Sequence, residues 1–138
     1  MRIFAYLVLL VLISCGKQDP SSQIDKLAGY WEIESVAMPD GEIKEFSMST
    51  IVDFIEVSEN MGVRTKVSPQ LDGSFLNNGV AEKFEMKIEN DSLQLYYKTP
   101  FNSWKETVLI ATDSILKVLN RDDKIYTYSK FKKFELIK

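Results

Sequence analysis

Phe84, Met86 and Ile88 alternate with Glu85, Lys87 and Glu89. A side-chain period of two gives such a stretch one dry and one wet face, the mark of a half-buried strand. Similar short apolar and aromatic stretches recur from Gly29 onward between turn-forming clusters. Tyr30 to Ala37 is predicted as the first strand, with Trp31, Ile33 and Ser35 on one face and Glu32 and Glu34 on the other. Pro39-Asp40-Gly41-Glu42 then reverses the chain, Pro presetting φ and Gly accepting a positive φ. Ile51 to Val57 and Gly62 to Val67 form a hairpin across Ser58-Glu59-Asn60-Met61, and Pro69 to Gly79 reads as a longer loop, a candidate lid. Leu93 to Lys98, Trp104 to Ala111, Ile115 to Leu119 and Lys124 to Phe131 continue the series, separated by Asn90-Asp91, Thr112-Asp113-Ser114 and Asn120 to Asp123. No stretch sustains a helical period.

About eight strands in serial hairpins predict an all-β fold, a small antiparallel up-and-down barrel, because closure removes exposed sheet edges. Such a barrel encloses either packed side chains or one small ligand. At 138 residues there is room for one domain, and 12% aromatic residues suit strands. Histidine is absent. That removes Ser-His-Asp and Cys-His nucleophile systems, most zinc sites and any imidazole base. A net charge of -3 argues against nucleic acid, which needs a basic footprint. The single cysteine, Cys15, cannot form an internal disulfide. No metal site, phosphate loop or cofactor motif stands out, and Asp122-Asp123 and Asp72-Gly73 lack calcium-loop spacing. A carboxylate-based hydrolase is the only chemistry this inventory easily permits, and the chain is not expected to be an enzyme.

The first residues have a different pattern. Met1-Arg2 is a short positive start, Ile3 to Ile13 is an uninterrupted run of eleven apolar residues, and Ser14-Cys15 follows. That order is a secretory signal. As a helix the run spans roughly 16 Å, about half of a ~30 Å hydrocarbon core, too short for a stable span. Leu12-Ile13-Ser14-Cys15 resembles the lipobox of bacterial lipoproteins. The resemblance implies that residues 1–14 are removed and that Cys15 becomes a lipid-bearing first residue, with diacylglyceryl and acyl (palmitate-type) chains. Two or three such chains anchor durably, each buried methylene contributing about 0.8 kcal/mol. Residues 15–26, polar and containing Pro20, are predicted to be a flexible tether. The expected partner is therefore a membrane in the cell envelope, reached through the lipid, with the domain itself a monomer.

Leu27-Ala28-Gly29-Tyr30-Trp31 resembles the opening of lipocalin-like domains, in which a Gly-x-Trp enters the first strand and the Trp plugs the closed end of the barrel. With the serial hairpins and the Tyr126-Thr127-Tyr128 ending, residues 27–138 resemble the lipocalin-like lipoproteins common in Bacteroidetes. An Arg near the last strand stacks on that Trp in lipocalins. Lys130 is the residue that could take its place here, although an ammonium stacks less well than a planar guanidinium.

Ligand-contact candidates are Trp31, Tyr97, Phe101, Trp104, Tyr126 and Tyr128. Trp31 is more economically a core plug. Phe101 and Trp104 flank a polar turn, where large aromatics often form a binding rim. The tyrosines could line a cavity and orient a ligand through their hydroxyls. Asp91-Ser92-Leu93 and Asp113-Ser114-Ile115 resemble the O-glycosylation sequence of Bacteroidetes secreted proteins, and are equally ordinary turn chemistry. The expectation is a binding module taking a small hydrophobic ligand in the barrel mouth. The alternative is a packed barrel that docks a protein or glycan.

Overall fold

A computed structural model describes residues 18–46 and 51–132. Nine strands follow one short helix: α1 (Pro20–Leu27), β1 (Gly29–Ala37), β2 (Ile43–Glu45), β3 (Val52–Ser58), β4 (Met61–Pro69), β5 (Phe75–Glu89), β6 (Ser92–Lys98), β7 (Ser103–Ala111), β8 (Ile115–Leu119) and β9 (Ile125–Lys130). All pairings are antiparallel between chain neighbours from β3 to β9, and β9 returns to pair with β1, so eight strands close a barrel. The ninth, β2, is an addition at the rim. It shares one edge of β1 with β3: Gly29–Trp31 pair with β3, whereas Ser35–Ala37 pair with β2.

Period-two alternation fills the lumen. Ile55, Phe84, Met86, Leu93, Leu95, Tyr97, Val108, Leu116 and Val118 form the core with Leu27 and Trp31. The Asn90-Asp91 reversal is a two-residue hairpin loop in which both residues have positive φ (52° and 60°), the mirror-image geometry that matches strand twist. Trp31 sits at the end closed by α1, its indole Nε1 donating to the Leu27 carbonyl at 2.8 Å. The turns after β6 and β8 lie at the other, open end.

The segment expected to be a tether is in part a helix. Asp19 caps it by accepting from the Ser21 amide at 3.0 Å, and Pro20 occupies a first-turn position where its missing N–H is no loss. Gln23, Ile24 and Leu27 then fall on one side and pack into the barrel end. Eight residues are too few to display a period, which is why the helix was not visible as one.

Two further expectations are corrected. The long loop at 69–79 is a turn at residues 70–74, because β5 already begins at Phe75. The Asn77 and Gly79 signals mark an irregularity within paired strands instead: Thr65 faces Ala81 while Val67 faces Asn77. The strand bends there, and Phe75 stacks on Tyr30 with ring centroids 4.1 Å apart. In β1, a bulge between Ile33 and Ser35 turns Val36 inward in place of Ser35.

Candidate functional site

The lumen divides into two halves of different character. On the β5–β7 side it is filled. Arg64 lies against the Tyr97 ring at 4.6 Å, and Tyr97 stacks flat on Trp104 with centroids 5.1 Å apart. The guanidinium binds Glu82 at 3.1 Å and Glu106 at 3.5 Å, and Trp104 Nε1 donates to the same Glu106 oxygen at 3.4 Å. Burial opposes the charge on Arg64, but attraction from the carboxylates of Glu106 and Asp53 favours it, and the guanidinium stays charged. Burial also pushes the Tyr97 and Tyr128 phenols well above the ordinary tyrosine range, so both stay protonated. The enclosed space next to this network is only about 10 Å³, at the limit for a single water.

On the β9–β1–β3 side the lumen opens. Above Trp31, β1 leaves β3 for β2, and the wall separates into a cleft of about 300 Å³. Trp31 is its floor; Ile33, Val36, Phe46, Ile51, Tyr126 and Tyr128 are its walls. One polar feature interrupts them, the cross-strand pair Asp53–Lys66 at 2.8 Å, in which the Asp53 side chain is buried and the Lys66 side chain is 40% exposed. An apolar wall with one charged pair suits a small molecule that has an apolar body and a polar group. Among the described residues no group of three or more acidic, His or Cys side chains could hold a metal ion, and no helix is long and apolar enough to cross a membrane.

The profile of the lipocalin-like domain family matches residues 27–118. The chain belongs to the lipocalin-like domain family. Two solved structures are similar: a lipocalin-like protein from Bacteroides uniformis (12% identity, TM-score 0.48, covering 77% of this chain and 99% of that one) and an uncharacterized protein from Bacteroides eggerthii (13% identity, TM-score 0.46, covering 75% and 98%). No curated protein matches the chain.

In this lipocalin-like barrel the Gly-Tyr-Trp entry is arranged around a cation. Lys130 Nζ lies 4.5 Å from the centre of the Trp31 ring and donates to the Ala28 carbonyl at 2.9 Å. A lysine thus occupies the stacking position that the resemblance assigns to an arginine. Gly29, at φ 133°, lets the chain pass under it, since a side chain there would overlap the ammonium.

The six aromatic candidates fall into three places. Trp31, Tyr126 and Tyr128 come together around the open cleft. Tyr97 and Trp104 stack on one another in the filled half. Phe101 is 95% exposed at the tip of the β6–β7 turn and lines neither. Cys15 is outside the described residues. The polar cleft pair and the buried Arg64 network were not anticipated, though a signal existed: Asp53 and Ile55, like Arg64 and Lys66, share the inward phase of the predicted hairpin. Charged residues in the dry phase of a strand point to a polar lumen.

Proposed function

We propose that this lipocalin-like barrel is an envelope binding protein that takes a small, largely hydrophobic ligand into the cleft above Trp31. The observation that carries the reading is the cleft itself, with six apolar or aromatic wall residues over an aromatic floor and one charged pair at its side. Binding is a better fit than catalysis, because the fold is typically a binding fold and the lumen carboxylates are all paired, Glu82 and Glu106 with Arg64 and Asp53 with Lys66. The signal-like start and Cys15 support attachment to a membrane through lipid.

Fluorescence titration with N-phenyl-1-naphthylamine, a neutral apolar probe, tests the cleft. Saturable enhancement is expected, and Val36→Trp, which fills the space between Ile33 and Tyr126, abolishes it while leaving the far-UV circular dichroism unchanged. Saturable binding that survives Val36→Trp, or none in the unaltered protein, refutes the site. Metabolic labelling with palmitate, compared between the natural chain and Cys15→Ser, tests the anchor separately. A second reading, a packed barrel that docks a protein or glycan, is favoured by how little space, about 10 Å³, remains beside the Arg64 network. Under it the probe would not bind at all.

A further inference from the structure

Strands β4 to β7 carry a second concavity, a groove of about 540 Å³ lined by alternate residues of β5 to β7 together with Met61 and with Phe84, Tyr97 and Trp104 of the lumen-facing phase. Its position follows from strand phase: Phe84, Met86, Tyr97 and Glu106 point inward, so Lys83, Glu85, Lys87, Tyr96, Lys98 and Lys105 point outward. Pairing aligns them in rows. Lys83, Lys98 and Ser103 are cross-strand neighbours, and the adjacent row is Met61, Glu85, Tyr96 and Lys105.

Two properties of this wall are costly to the protein on its own. Lys83 and Lys98 face each other directly, and like charges in that position destabilise a sheet. Four lysines line the groove against one carboxylate, Glu85, in a chain whose net charge is -3. None of the four forms an ion pair among the described residues, all of whose salt bridges lie elsewhere. Lys87 instead rests over the Tyr96 ring at 5.2 Å, and the Tyr96 hydroxyl is held by Glu89. An aromatic platform is thereby fixed in the middle of the cations.

We infer that this groove binds an anionic polysaccharide, a chain of carboxylated or sulfated sugars. The four lysines do not share one turn or one strand. They are spread over three strands at a spacing of about 4.8 Å per strand, which matches charges distributed along a polymer. The concave shape suits a strand better than a flat membrane surface.

The test is binding of the purified protein to heparin and to polygalacturonate, with neutral dextran as control, at low salt and at about 0.15 M. Binding to at least one polyanion, weakened by salt, is expected. Lys98→Glu with Lys105→Glu should weaken it by about tenfold or more. Lys44→Glu with Lys117→Glu, an equal change of net charge away from the groove, should leave it nearly unchanged, as should Val36→Trp. No binding to either polyanion, equal binding of dextran, or equal losses in the two charge variants overturns the inference. So does tighter groove-dependent binding of phosphatidylglycerol vesicles or of single-stranded DNA, which would identify a different polyanion as the partner.

Discussion

Replacing Arg64 by Met removes the cation that bridges two lumen carboxylates with little access to water. Glu82 and Glu106 are 18% and 9% exposed at the side chain, and the guanidinium reaches them at 3.1 and 3.5 Å. Breaking a buried pair by deleting one partner costs about 3–5 kcal/mol, because the charge left behind is neither paired nor hydrated. Here two charges are left, close to each other, so the upper part of that range is expected. At roughly 4 °C per kcal/mol for a domain of this size, the thermal midpoint should fall by about 16–20 °C. Urea unfolding followed by circular dichroism at neutral pH measures the change. The decisive comparison is the triple variant Arg64→Met, Glu82→Leu, Glu106→Leu. Exchanging a whole buried network for apolar side chains is often neutral or stabilising, so the triple variant should recover most of the loss. A single variant within about 1 kcal/mol of the natural protein, or a triple variant less stable than the single, refutes the claim that desolvated charge dominates this half of the lumen.

Gly62→Ala places a methyl group into the Phe84 ring, which is itself buried against Tyr97, and overpacking of that kind costs about 1–3 kcal/mol; adding Phe84→Leu should return part of it in a double-mutant cycle. Lys130→Ala should cost about 1 kcal/mol through loss of the cation over Trp31, whereas Lys130→Arg should match or exceed the natural protein, both read by thermal unfolding with tryptophan fluorescence. The exposed Lys26–Asp113 bridge at 2.8 Å ties α1 to the β7–β8 turn, its hydrogen bond lowering the Asp113 pKa and raising that of Lys26. Its contribution is therefore present from above the ordinary carboxylate range up to the ordinary lysine range. It is lost as pH falls through the lowered Asp113 value, or rises through the raised Lys26 value. Hydrogen exchange of the α1 amides should differ between the natural protein and Asp113→Asn only inside that window, and less at high salt.

The barrel was legible because its information is local. Alternation in Phe84 to Glu89 and turn residues such as Asn90-Asp91 each specify their own strand or reversal, and a sequence of adjacent hairpins has few ways to close. What could not be read depends on register between strands. The β1 bulge that brings Val36 inward, the offset that turns Asn77 and Gly79 into part of β5, and the sharing of the β1 edge by β2 and β3 are all properties of pairs. Trp31, Tyr126 and Tyr128 could be named in advance as aromatics in strands. Their meeting around one cleft, with Tyr97 and Trp104 excluded from it, follows only from that register.

The same register explains why the barrel has a cleft and a filled half at once. An eight-stranded barrel has little interior to spare, and three charged side chains with their aromatic neighbours consume it on the β5–β7 side. Space at the mouth then has to come from the wall. It comes where β1 exchanges β3 for β2, so that Ile33 and Val36, with Tyr126 beside them on the paired β9, face Ile51 at the edge from which β1 has parted. The Arg64 network therefore limits ligand size indirectly, by keeping the depth of the lumen closed. A ligand enters only as far as Trp31, Asp53 and Lys66 allow. If that is right, the triple apolar variant that restores stability should also deepen the cleft, provided the new side chains underfill the space left by Arg64, and should bind N-phenyl-1-naphthylamine more tightly than the natural protein. Restored stability with unchanged probe affinity would show that the two halves of the lumen are independent.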